Sequence, residues 1–588
     1  MQDDQQKPQG ASDAQPQRED KSTGFDRRSL LGGIAGAAAL GAGGAILPTL
    51  AGSESTAQAV PVPGNLNSTD RAGAAYRLRL ACARQNFIAP IVPHPTNGDE
   101  ELYPDRLGSF SKSLPHNQYG EVDPAAYQSL VDACAAGTQL AFESVPSGQP
   151  NSSQRLKFHS PLAGIAFDLQ GTDGHNLTMR SPPTFASAEE AGEIVENYWM
   201  ALLRDVPMHR YSTHPLAQQA CAELTAMSDF RGPKIGGQVT PQTLFRDSAP
   251  GCTTGPYLSQ FWWKSQPFGS QYIDPRMRTL LPGTDYMTDN ASWLARQNGV
   301  KPTAAQALLP FDNTLRYMRT GRDLGRWVHM DVLYQAYFQA LLHLMTPPDV
   351  NNPFTGGGMG CPHNPGDPYT VTLRQEGFAT FGGPYYMTIS TEVATRALKA
   401  TWYQKWFVHR RLRPEAFAGR IHHKLVNGRP YPIHADVLNS SALALIQSQY
   451  GGNAFLPQIF PEGCPVHPAY AAGHATVAGA CVTILKALFY EQFPFPNPVI
   501  PSDDGLTLLP YTGPGANQLT VGGELNKLAM NVAYGRHIAG VHWRSDGYDS
   551  LRLGEELAIS ILRDQRIIYA EEFNGFTFTK FDGTTITI

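Results

Sequence analysis

The chain of 588 residues is 41% hydrophobic and 16% charged, and 46 Lys and Arg against 51 Asp and Glu leave a net charge of -5. At about 150 residues per folding unit, a chain this long predicts more than one unit and a sizeable core. So mild a charge balance excludes nucleic-acid binding driven by a basic surface, though a local basic pocket stays compatible with it. A single long uncharged stretch likewise excludes a multi-span membrane protein.

The first segment, Met1 to Lys21, is rich in Gln and Asp and reads as disordered. Arg27 and Arg28 then precede an uncharged run from Ser29 to Ser53 that ends near Ala57-Gln58-Ala59. Seven of the residues from Gly32 to Leu50 are Gly or Pro, too many for a stable membrane span. Residues 1–59 therefore read as a twin-arginine export leader, with Val60 as the first mature residue. The seven cysteines, at 82, 134, 221, 252, 361, 464 and 481, show no zinc-like spacing and are odd in number. Cys134 and Cys481 read as small core residues, and no disulfide pair among the others stands out.

Residues 60–310 show short helical patterns between loops dense in Pro, Gly and Asn. Ser187 to Arg204 is a clear helix, capped by Ser187 with Glu189 and Glu190 in its first turn. Residues 311–588 carry longer helices and read as a helical bundle. Leu324 to Leu344 is apolar nearly all round and reads as one buried helix. Thr391 to Arg411, stopped at Pro414, is a second; Ala475 to Tyr490, Glu524 to Arg536 and Asp546 to Arg563 follow. Only Gly575 to Ile588 alternates like a strand. The expected fold is mainly α, two helical bundles with long loops and little β.

Three segments of the second half hold the chemistry. Lys405 and Arg413 are eight residues apart in Lys405-Trp-Phe-Val-His-Arg-Arg-Leu-Arg413-Pro414, which on one helix would place them within about 80° of each other. His467-Pro-Ala-Tyr-Ala-Ala-Gly473-His474 leads into the helix from Ala475, and a Gly-containing loop opening a helix offers free N–H groups to an anion. Arg536-His-Ile-Ala-Gly-Val-His542-Trp-Arg-Ser-Asp546 places Arg536 and His542 about a bend, with Asp546 four residues further on. One Lys, two Arg, two His and a helix N-terminus suit a tetrahedral or trigonal-bipyramidal oxyanion. His537, beside Arg536, reads equally as a helix-end polar residue.

In this order and spacing the segments resemble the signature shared by vanadium-dependent haloperoxidases and type 2 phosphatidic acid phosphatases. Thr391 to Ala400, Arg322 to Asp331, Gly479 to Ala487, Gly255 to Gln260, His116-Asn117 and the ending Lys580 to Ile588 are further similar to the algal-type bromoperoxidases. The leader and the Gly/Ala-rich style point to an actinobacterial branch serving meroterpenoid pathways of the napyradiomycin type. The resemblance implies a vanadate cofactor, with His542 bonded to vanadium through Nε2. Lys405, Arg413, Arg536 and the Gly473 N–H would neutralise its oxygens, and His474 would be the acid–base group. Lys405 would also polarise bound peroxide, and Asp546 would fix the tautomer of His542. His467 joins this catalytic set by its likeness to the algal enzymes.

The implied activity is a haloperoxidase that uses hydrogen peroxide to oxidise halide and halogenate, or cyclise, an electron-rich prenylated aromatic or terpenoid. A homodimer is expected, with no nucleic-acid partner. Ala472 stands where the family commonly has Ser, so one hydroxyl donor is absent. Trp402 resembles the fungal chloroperoxidases and His467 the algal bromoperoxidases, so chloride and bromide both remain candidate halides. The absent hydroxyl leaves open an alternative on the same scaffold, a halide-independent isomerase that rearranges an α-hydroxyketone. A more distant one is an acid phosphatase with His542 as nucleophile.

Overall fold

Residues 68–348 and 357–588 are described in the structure, a computed structural model of the chain. The leader expectation and Val60 lie outside them. Helices dominate, and the strands form four two-stranded antiparallel ladders. One of these is the expected C-terminal hairpin, β7 (Thr577–Thr579) with β8 (Thr585–Thr587). The other three are β1 (Gln266–Phe268) with β2 (Gln271–Ile273), β3 (Met277–Leu280) with β4 (Phe311–Arg316), and β5 (Val499–Pro501) with β6 (Leu508–Pro510). Strands of three to six residues give too few alternations for sequence periodicity to register. The mainly α expectation holds.

In the first half, α1 (Ser68–Ile88) begins the described chain, and α2 (Ala188–Leu203) follows Ser187, whose side chain accepts from the Glu190 N–H. In the second half come α3 (Gly321–Met330), α4 (Gln335–Met345), α5 (Gly383–Tyr403), α6 (Pro414–Asn427), α7 (Gly473–Leu488), α8 (Val521–Ile538) and α9 (Arg544–Arg566). The axis of this bundle is α7, which packs against α5, α8 and α9 and is buried along its length apart from His474. Two glycines let α7 and α9 approach backbone to backbone. A Cβ on Gly479 would lie 2.0 Å from the Leu551 carbonyl oxygen, and one on Gly554 would lie 2.0 Å from that of Thr476. Beside that contact the Ala472 N–H, just before α7, donates to Ser550 Oγ in the second turn of α9.

Two expected helices are corrected. Leu324 to Leu344 is two helices, because the chain opens at Asp331, whose φ of -66° and ψ of 152° are extended. Thr320 and Asp323 form a capping box at the start of α3, and the side chain of Gln335 accepts from the Val332 N–H at the start of α4. Apolar periodicity runs across such a break without marking it. The helix expected from Thr391 starts earlier, at Gly383 with Pro384 in its first turn, and widens into a π-turn at Gln404–His409. It ends at Arg410, whose φ is 38°. Pro414 is not a stop but the first residue of α6, where a missing N–H costs nothing. All seven cysteines are free thiols. No helix among the described residues is long and apolar enough to cross a membrane.

Candidate active site

The three segments converge on one cavity of about 360 Å³, lined among others by Asp331, Trp402, His467, Gly473, His474, Arg536 and His542. Lys405 and Arg413 stand directly behind its wall. They do not share a helix face as the spacing suggests: Lys405 sits in the π-turn and Arg413 is the N-cap of α6, after the reversal at Arg410. They converge because both bind the loop before α7. Lys405 Nζ donates to the carbonyls of Pro468 (2.6 Å) and Ala469 (3.0 Å), and Arg413 Nε donates to that of His467 (3.0 Å).

The fully buried Arg413 fixes two imidazoles. Its Nη1 donates to His542 Nε2 at 2.9 Å and its Nη2 to His467 Nδ1 at 2.8 Å. A guanidinium only donates, so both nitrogens present lone pairs. His542 Nδ1 lies 2.8 Å from Asp546 Oδ2, which also accepts from the Trp543 N–H at 3.0 Å. The proton of His542 is therefore on Nδ1 and its Nε2 is unprotonated, the tautomer a metal ligand requires. Burial, with Arg413 and Lys405 adjacent, holds the His542 pKa well below the ordinary imidazole range. His467 is depressed in the same way, by burial and then by Lys405 and Arg413.

Arg536, near the end of α8, has a different status. Its Nη1 reaches the Val328 carbonyl at 3.3 Å, while its Nε is buried with no hydrogen-bond partner. Burial first, then Arg413 and Arg536, drive the Lys405 pKa well below its ordinary value; burial, offset by nearby acids, brings Arg413 down to about 10. Three cations thus meet with a shortage of negative charge, and one carries an unanswered donor. Such a set fits an oxyanion and repels a bare metal cation. Ala472 caps α7 without a side-chain bond, its own N–H being taken by Ser550 Oγ at 2.8 Å. Gly473 opens that helix, where N–H groups lack helical partners. A Cβ on Gly473 would lie 3.3 Å from both Leu398 Cδ2 and Trp402 Cζ3, so glycine keeps this wall close to the helix start.

His474 is the least buried of these groups, its side chain 33% exposed, and its Nε2 lies 3.1 Å from Asp331 Oδ1. Sequence reasoning missed Asp331, because it sits at the helix break that periodicity passes over. It also missed Arg411, whose Nη1 donates to Asp546 Oδ1 at 2.8 Å. Trp402 packs on His467, ring centroids 4.9 Å apart, and donates through Nε1 to the His159 carbonyl. His537 lies outside the cavity lining, buried against Tyr534 with centroids 4.5 Å apart.

The family described as "VCPO second helical-bundle domain" matches residues 386–568, the span that holds every cation of the site. The vanadium-dependent bromoperoxidase of Ascophyllum nodosum is 35% identical over 546 residues, covering 90% of this chain and 93% of the relative. The chain belongs to the vanadium-dependent haloperoxidase family. It is an enzyme of the haloperoxidase type. The vanadium-dependent bromoperoxidase of Corallina pilulifera is 34% identical over 89% of this chain and 99% of its own. Among solved structures, the second vanadate-dependent bromoperoxidase of A. nodosum, titled as homohexameric, superposes with a TM-score of 0.81 at 32% identity. That match covers 94% of this chain and 95% of the other.

Proposed function

We propose that this enzyme is a vanadate-dependent haloperoxidase that halogenates an electron-rich prenylated aromatic or terpenoid in secondary metabolism. The observation that carries the reading is the meeting of Lys405, Arg413 and Arg536 around the unprotonated Nε2 of His542, with Arg536 Nε unanswered. In it, Arg413 Nη1 would turn from His542 Nε2 to the anion, His542 Nε2 would hold vanadium, and Lys405, Arg413, Arg536 and the Gly473 N–H would hold the anion's oxygens. Bound vanadate supplies Lewis-acid activation of hydrogen peroxide.

The rest is work for the chain's own groups. Asp546 keeps the proton of His542 on Nδ1. Asp331 orients His474 through Nε2, leaving Nδ1 to take the peroxide proton and return it to the departing oxygen. His467, a lone pair committed to Arg413, offers only its Nε2–H. Halide, peroxide and one proton give hypohalous acid and water; the organic substrate then exchanges a hydrogen for halogen and releases a second water. Export through the leader 1–59 and association of copies belong to the same reading. For association, the homohexameric relative lends no support to a dimer.

One observation favours a second reading. Ala472 brings no hydroxyl to the site, as expected for an isomerase that rearranges an α-hydroxyketone without halide, using His474 as acid–base. Peroxide-dependent bromination of monochlorodimedone across a vanadate titration separates the two. Activity that saturates with vanadate supports the haloperoxidase; a flat response with turnover of a hydroxyketone supports the isomerase.

A further inference from the structure

Behind His542 lies a second buried charged cluster that the reaction above does not use. Helix α2 carries four acids there: Glu189, Glu190, Glu193 and Glu196. Glu189 has two guanidiniums, Arg180 at 3.0 Å and Arg231 at 2.9 Å, and Glu196 is paired with Arg544. Glu190 and Glu193 have one cation between them, both accepting from Arg411 Nη2, at 2.5 and 3.1 Å. The opposite nitrogen of Arg411, Nη1, donates to Asp546 Oδ1 and Ser545 Oγ, each at 2.8 Å. Three carboxylates therefore stand on one guanidinium, and the third is the one that fixes His542.

With all three ionised, Arg411 would answer one negative charge of three, with Lys405 and Arg413 acting on Asp546 from beyond His542, an arrangement that burial and like-charge repulsion around Glu190 and Glu193 oppose. The hydrogen bonds say which group gives way. Glu193 takes two further donors from Ser545, the N–H to Oε1 and the hydroxyl to Oε2, each at 2.9 Å. Asp546 takes the His542 and Trp543 protons besides that of Arg411. Glu190 has Arg411 alone, with Glu193 and Asp99 as like-charged neighbours. Burial pushes the Glu190 carboxyl well above its ordinary range, and Glu193 up to about 7. The Arg411 guanidinium also lies 4.9 Å from the Trp543 ring and 5.9 Å from the Tyr470 ring, so it is fixed on both faces.

We propose that Arg411 is a positioning residue for the imidazole that holds vanadate, and that Glu190 beside it is protonated, leaving the guanidinium's charge to Glu193 and Asp546. The vanadate part of this rests on the function proposed above; the tautomer part does not. Two variants test it. In vanadate-free protein, ¹⁵N-histidine spectra of wild type place the His542 proton on Nδ1, and Arg411→Lys mixes the tautomers. The same variant binds orthovanadate about tenfold or more weakly in equilibrium dialysis, the usual cost of disturbing a ligand's support. Glu190→Gln, which imitates a neutral carboxyl, keeps vanadate affinity within about threefold of wild type. A carboxyl raised in the fold stabilises it below the unfolded pKa and loses that contribution as pH rises. Glu190→Gln has no such loss, so its melting temperature gains on wild type by several degrees between pH 5 and pH 8.

A folded Arg411→Lys with a wild-type His542 tautomer overturns the positioning role. A Glu190→Gln protein that gains nothing with pH, or weakens vanadate as Arg411→Lys does, overturns the protonation. A wild type that binds no vanadate while the tautomer still responds to Arg411→Lys refutes the proposed function and leaves the positioning role standing.

Discussion

His542 separates two buried charged regions built on opposite rules. In front of it, Lys405, Arg413 and Arg536 gather with no carboxylate among the cavity-facing groups except Asp331, which is engaged by His474. Behind it, Arg411 answers Glu190, Glu193 and Asp546 at once. The front has surplus positive charge and the back surplus negative charge, and Asp546 and the His542 ring lie between them. A protein can settle a negative surplus with a proton. A positive surplus on two guanidiniums cannot be settled that way near neutral pH, so the front calls for an anion.

The strongest way to break this contrast is to remove the divider. His542→Ala deletes the group placed to bond the metal, and vanadate retention should fall at least a hundredfold, measured by elemental analysis after desalting. Survival of stoichiometric vanadium would refute the assignment. Arg536→Ala tests the front's unanswered donor. Loss of a charge-assisted hydrogen bond of about 1.5–3 kcal/mol should weaken vanadate roughly 10- to 150-fold, and an unchanged dissociation constant would mean that Arg536 serves the fold alone. Asp331→Asn removes the front's one cavity-facing carboxylate and loosens His474. Turnover should drop about tenfold with vanadate affinity held or tightened, whereas equal losses in both would place Asp331 in anion binding instead.

The smallest effect concerns Ala472, where a helix N-cap without a side-chain bond meets the front of the site. Ala472→Ser adds a hydroxyl that caps α7 or reaches the anion. Capping raises stability by about 1 kcal/mol, read from the melting curve. Reaching the anion tightens vanadate by up to about tenfold. No change in either quantity would show that the site is complete with backbone donors.

The front was more legible in the sequence than the back. Lys405, Arg413, Gly473, His474, Arg536 and His542 stand in short segments whose order and spacing mark them, and the structure brings all six to one place. The back depends on Glu190 and Glu193, more than two hundred residues before Arg411. As sequence, Glu190 reads as a first-turn acid and Glu193 belongs to no motif; only tertiary packing buries them. Asp331 escaped notice for a local reason. The helix breaks there because the chain is extended at Asp331 and the Gln335 side chain caps the start of the next helix, while the apolar pattern continues unbroken. Lys405 and Arg413 were paired correctly on an incorrect geometry, since a π-turn and a left-handed Arg410 do what a straight helix was expected to do.

If vanadate completes the front of the site and the enzyme works only then, one preparation decides it: stripped of vanadium and reloaded in steps, with vanadium per chain and bromide oxidation read on the same samples, it shows both rising together and levelling off at one vanadium per chain. Bromide oxidation at full rate in the stripped protein, or a chain that takes up vanadium at that stoichiometry without oxidising bromide, would contradict it.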